Sequence, residues 1–105
     1  MEADTLRGHL DGLTLAVLER GPLHGYGVIE ALRLRSDGAL DVPTGTVYPA
    51  LHRLERSGLI SSSWSAESGR RRRQYTLTAN GRRSLERQRT TWRAFFGAIT
   101  AVLRG

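Results

Sequence analysis

Apolar residues recur at helical intervals through the first half of the chain. Leu6, Leu10, Leu13 and Val17 fall three or four apart with Leu18 alongside, the spacing that gathers side chains on one face of an α-helix. Arg20-Gly21-Pro22 ends that run, because proline cannot continue a helix. A second helix is expected over Gly25 to Arg35, with Tyr26, Ile29, Leu32 and Leu34 turned inward, and Ser36 to Leu40 reads as a turn. A third helix is expected over Thr44 to Arg56, with Val47, Ala50, Leu51 and Leu54 as its buried face and Gly58 as its stop.

The period then changes from about 3.6 to 2. Ile60, Ser62 and Trp64 alternate in one segment, and Arg73, Tyr75 and Leu77 in the next, with Ala66 to Arg70 as a glycine-containing turn. Two alternating segments around a short loop predict a β-hairpin, across which Trp64 and Tyr75 would pair, or else cover the third helix. From Thr78, a good N-cap residue, the helical period returns. Leu85, Gln88, Trp92, Phe95, Ile99 and Val102 form a seam broken only by Gln88, with the alternating three- and four-residue spacing of a heptad. A helix of that span is a rod roughly 40 Å long. One reading makes the seam a side of the chain's own core. Its length, and the flanking Phe96 and Leu103, favour pairing with a second copy. Residues 1–77 are therefore expected to form a folded unit and 78–105 a dimerisation helix in which Leu85, Trp92, Phe95, Ile99 and Val102 meet the partner.

Charge sharpens this picture. All 16 basic residues are arginine, and the formal net charge is +6. Between Gly69 and Arg93 nine arginines face one acid, Glu86, so the remainder of the chain is net acidic. Arginine binds phosphate in a planar two-point geometry that lysine lacks, and a basic region on a mild background suits a polyanion. Four consecutive arginines, Arg70 to Arg73, fall at the expected hairpin tip and on its returning strand; a solvated turn is the competing explanation. There is no cysteine, which excludes disulfides, thiolate metal sites and cysteine nucleophiles. His9, His24 and His52 are scattered without a carboxylate pair, phosphate loop or metal-ligand spacing, so neither an enzyme nor a bound cofactor or metal is expected. No apolar run approaches the length of a membrane span, which points to a cytoplasmic protein.

Three helices followed by a hairpin is the order of a winged helix-turn-helix, in which the third helix enters the major groove and the wing touches the adjacent backbone. The fold class expected is therefore mainly α with a small β-hairpin, α-α-α-β-β, followed by the long C-terminal helix. The stretches GPLHGYGVIEALR (Gly21 to Arg33), PTGTVYPALHRLERSGLI (Pro43 to Ile60) and SGRRRRQYTLTANGR (Ser68 to Arg82) resemble the PadR family of transcriptional regulators in order and spacing. The single C-terminal helix is similar to that of the compact branch of the family. The resemblance implies a homodimeric DNA-binding regulator, usually a repressor, that a small molecule releases from its operator; a symmetric dimer presents two recognition helices, so the operator is expected to be an inverted repeat.

Carried onto this chain, the resemblance makes Thr44 to Arg56 the recognition helix, leaving Thr44, Gly45, Tyr48, Pro49, His52 and Arg53 to the groove. Thr44 and Thr46 stand at the helix N-terminus, where hydroxyls and free N–H groups suit phosphate, and Gly45 admits a close backbone approach. Tyr48 and His52, one turn apart, are candidates for base or sugar contacts, with packing against the second helix as the alternative for Tyr48. His24 and Tyr26 open the second helix and either touch phosphate or brace the fold. The resemblance also makes Trp92, with Phe95 and Phe96, a surface between subunits for a flat aromatic effector; the alternative is that all three rings fill the dimer core. A different class, a winged-helix module used for protein contact without sequence-specific DNA binding, stays open.

Overall fold

The computed structural model describes residue 6, residues 8–66 and residues 69–105; Arg7 of the first expected helix and Glu67 and Ser68 of the turn at Ala66 to Arg70 lie outside the described residues, and residues 8–9 form a turn, so that helix begins at Leu10 rather than Leu6. The chain folds as α1 (Leu10–Leu18), β1 (Leu23–His24), α2 (Gly25–Arg35), α3 (Thr44–Arg56), β2 (Ile60–Ser65), β3 (Arg72–Leu77) and α4 (Ala79–Arg104). Helix α1 is central and touches α2, α3, α4 and β3. Its burial is correspondingly broad, with Leu10, Leu15, Val17 and Leu18 in the core, whereas Leu13 is only partly covered.

The expected hairpin is present and gains a third strand. The sheet order is β1-β3-β2, all antiparallel, with Leu23 opposite Tyr75 and Ile60 opposite Leu77. A two-residue strand has no alternation to detect, so only its partner reveals it. The register also corrects the expected Trp64–Tyr75 pair. Ser62 lies opposite Tyr75 and Trp64 opposite Arg73; Tyr75 is buried while Trp64 is 55% exposed.

The phase of α2 differs from its apolar spacing as well. Gly25, Val28 and Leu32 are its buried positions, and Tyr26 and Leu34 are exposed. Gly25 has no side chain to contribute to a periodicity, yet the ring of Tyr48 occupies its missing Cβ position and sets the helix rotation. Leu40 and Val42, in the α2–α3 connection, enter the core too.

The end of α3 and the start of α4 lock together. Gly58 adopts φ 75°, the Leu59 N–H returns to the Leu54 carbonyl, and the Gly58 N–H to that of Glu55, which together make a Schellman stop. Thr78 then caps α4, its Oγ1 accepting from the Gly81 N–H at 3.0 Å and donating to the Gly58 carbonyl at 2.7 Å. Leu85 is completely buried within this single chain. It has no surface left for a partner, which removes it from the dimer seam and makes the first turns of α4 part of the core.

An ion pair fastens α4 to the end of α1. Arg89 donates to both carboxylate oxygens of Glu19, at 2.5 and 2.9 Å, and to Glu86 at 2.7 Å. The hydrogen bond from Arg89 holds the Glu19 carboxyl below the usual carboxylate range, against a smaller opposing effect of burial. A depressed folded-state pKa contributes stability above the unfolded pKa and loses it as pH falls through the folded one. Glu19→Gln is therefore expected to cost ~1 kcal/mol or less at neutral pH, because both side chains are about one-third exposed. Urea titrations from neutral to acidic pH should show that difference vanish below the carboxylate range.

Candidate nucleic-acid interface

Helix α3 presents two distinct faces. Val47, Ala50, Leu51 and Leu54 are buried, as their spacing predicts, whereas Thr44, Gly45, Thr46, Tyr48, Pro49, His52 and Arg53 are exposed. Pro43 takes the N-cap position and no side chain caps the helix. The first backbone N–H groups thus stay available to an external acceptor, the condition that favours anions at a helix start. Among the described residues, apart from its own helix backbone and chain neighbours, nothing lies within 4 Å of the Cβ position at Gly45. No packing demand of the fold explains that glycine.

The wing and α3 meet at a cleft of about 320 Å³ lined by His24, Tyr26, Tyr48, Arg71, Arg72 and Arg73 together with Gly25, Trp64 and Tyr75. Six of the residues proposed from sequence therefore share one site, although they come from α2, α3 and the wing. Tyr48 is 37% exposed and its ring lies against Gly25, so it packs on α2 and still faces the cleft. Burial pushes the Tyr75 phenol above its ordinary range and keeps it neutral.

His24 has a definite local job. It is the N-cap of α2, and its Nδ1 accepts from the Gly27 N–H at 3.0 Å. Its other ring nitrogen, Nε2, lies 3.0 Å from Arg72 Nη1. The contact joins the start of α2 to the wing across the cleft.

Other site residues are partly committed elsewhere. Arg53 is paired with Asp11 of α1 at 3.0 Å. Arg73 donates from Nε to Ser62 Oγ at 2.8 Å and lies 3.8 Å from Glu55, while Ser62 itself donates to Glu55 at 2.5 Å. Arg70 is exposed at the loop end. Trp64 was not legible as a site residue, because an aromatic in an alternating strand reads as core; its position opposite an arginine was the available signal.

The apolar half of α4 stands apart. Phe95, Phe96, Ile99, Val102 and Leu103 are exposed, and the Phe95 and Phe96 rings lie 6.4 Å apart. Trp92 differs from them. It is half-buried against its own α1, its Nε1–H donates to His9 Nδ1 at 2.9 Å, and its ring edge rests over Gly12. Among the described residues no helix is long and apolar enough to cross a membrane, and no group of three or more His, Asp or Glu side chains is placed to hold a metal.

A three-helix unit with an exposed third helix and an arginine-rich wing beside its open face defines a winged helix-turn-helix protein. Residues 14–87 match the family described as the transcriptional regulator PadR-like family. The chain belongs to that family of transcriptional regulators and is not an enzyme. Over 48 residues it is 48% identical to a transcriptional regulator of Mycobacterium tuberculosis, a match covering 46% of this chain and 45% of that protein. A crystal structure of a PadR-like regulator from Bacillus cereus superposes with a TM-score of 0.85 at 28% identity, covering 98% of this chain and 99% of the other. The fold is also that of Bacillus subtilis PadR, solved in complex with operator DNA, with a TM-score of 0.69 at 24% identity over 75% of this chain and 45% of that one.

Proposed function

We propose that this regulator is a repressor that binds an inverted-repeat operator as a homodimer and is released by a small aromatic effector. The observation that carries the DNA part is the shared cleft, where Tyr48 of the exposed α3 face meets His24 of α2 and Arg71 to Arg73 of the wing. The fold shared with an operator-bound protein supports the same reading. Thr44, Gly45, Thr46, Tyr48 and His52 enter the major groove, Arg53 joins them by leaving Asp11, and Arg70 to Arg73 meet the flanking backbone. Work on chromosomal DNA places the protein in the cytoplasm.

The dimer rests on the exposed stripe of Phe95, Ile99 and Val102, which only a second copy of the same helix would cover in register. Trp92 stands one turn before this stripe, half-buried on α1, and Phe95 and Phe96 supply exposed flat apolar surface beside it. Trp92→Ala is expected to keep operator binding and lose the response to flat aromatic inducers, measured as release of labelled operator in an inducer titration. Loss of binding without inducer would make Trp92 a structural residue of the α1–α4 packing.

Selection of duplexes from a random library, followed by footprinting, tests the proposal directly. The expected result is two protected half-sites about one helical turn apart. Recovery of no enriched sequence would leave a winged-helix module for protein contact. On the selected operator, Tyr48→Ala or His52→Ala should cost about 1–3 kcal/mol for each base no longer read, with little change on random duplex. Equal losses on both DNAs, with a lowered melting temperature, would make the residue structural.

A further inference from the structure

Trp64 is a large aromatic residue left 55% exposed at the wing, where it stabilises little of the core. Its surroundings give it another role. The guanidinium carbon of Arg71 lies 4.9 Å from the indole centre and that of Arg73 lies 5.2 Å from it, both inside the range in which a cation is held over an aromatic face. The sheet register explains the convergence. Arg73 is directly opposite Trp64, and Arg71, two residues earlier, is the diagonal neighbour within reach of a long side chain.

Resting on the DNA-binding reading above, we infer that Trp64 is the positioning residue of the wing, an aromatic platform that holds Arg71 and Arg73 toward the DNA backbone. Four adjacent like charges repel one another and, left to themselves, sample many rotamers. Ordering a long side chain on contact with DNA has an entropic cost, and a platform that orders it beforehand removes part of that cost. Arg73 is held from its other side by Ser62 and Glu55, so the platform matters most for Arg71. Trp64 acts through these arginines and takes no base or phosphate itself.

The test combines a measurement on free protein with one on a random 20-base-pair duplex. In the free protein, NMR should show the Arg71 and Arg73 side-chain protons displaced upfield by the indole ring, with the displacement abolished in Trp64→Ala and largely kept if an aromatic ring is retained in Trp64→Phe. On the duplex, Trp64→Ala should weaken binding about three- to tenfold at a melting temperature close to wild type, and Trp64→Phe should recover most of that loss. In an Arg71→Ala/Arg73→Ala background, Trp64→Ala should have no further effect. Arginine protons without ring-current displacement would overturn the platform and leave DNA binding standing. A full additional loss in the arginine-free background would also overturn it, because Trp64 would then touch DNA directly. Displaced protons in a wild-type protein that does not bind duplex would overturn the DNA reading, and the wing role with it, while leaving the Trp64–arginine stacking intact.

Discussion

Ile99→Asp is expected to produce a monomer that no longer protects either half-site at wild-type concentrations. The C-terminal half of α4 leaves Phe95, Phe96, Val102 and Leu103 more than half exposed and Ile99 39% exposed in a single chain. Covering such side chains in a symmetric pair is worth roughly 1.5–3 kcal/mol for each large residue fully buried. An aspartate at position 99 sets a carboxylate from each copy across that apolar seam, which costs both the burial of the isoleucine and the desolvation of charge. The fold should survive, because the core contribution of α4 ends with Leu85 and the packing of Trp92 on α1, both N-terminal to the change. Sedimentation gives the oligomeric state and circular dichroism the fold. Wild-type protein that is monomeric at micromolar concentration and still operator-specific would sink the dimer and the intersubunit effector site together.

Replacing Arg70 to Arg73 by alanine should weaken operator and random duplex by similar factors, in total on the order of a hundredfold or more near physiological salt. Each phosphate contact releases about one counterion, so removing it flattens the log–log dependence of affinity on salt by ~0.9. The structure grades the four residues. Arg73 already answers Glu55 and Ser62, so its removal should change the slope least. Arg70, Arg71 and Arg72 should account for most of it, for a total flattening of roughly three units. Affinity titrations at four or five salt concentrations decide the matter. An unchanged slope would return the arginine block to a solvated turn.

Much of this site was legible in the sequence. The apolar spacing of α3 correctly assigned Val47, Ala50, Leu51 and Leu54 to the core, and once one helical face is buried the identity of the opposite face follows. Thr78 was legible as a cap because its hydroxyl reaches the N–H three residues on. The pattern misleads where a residue's surroundings come from elsewhere in the chain. Tyr26 has the spacing of a core residue of α2, but Gly25 faces inward to receive the Tyr48 ring. Leu85 and Trp92 have the spacing of seam residues because they share the period of Phe95 and Ile99. Helical period alone cannot tell which part of a long face meets its own chain.

Taken alone, the sequence determined the four helices and the hairpin and their order, the buried face of α3, the stop at Gly58, the basic wing and the resemblance to PadR regulators, all of which depend on side-chain periodicity, turn chemistry and charge along a local stretch. Only the tertiary structure decided the β1 pairing, the rotation of α2, the division of α4 after Trp92 between chain core and exposed stripe, and the convergence of His24, Tyr48, Trp64 and Arg71 to Arg73 on one cleft. Those features depend on contacts between residues tens of positions apart, where strand register and helix packing choose the partner and local pattern is silent.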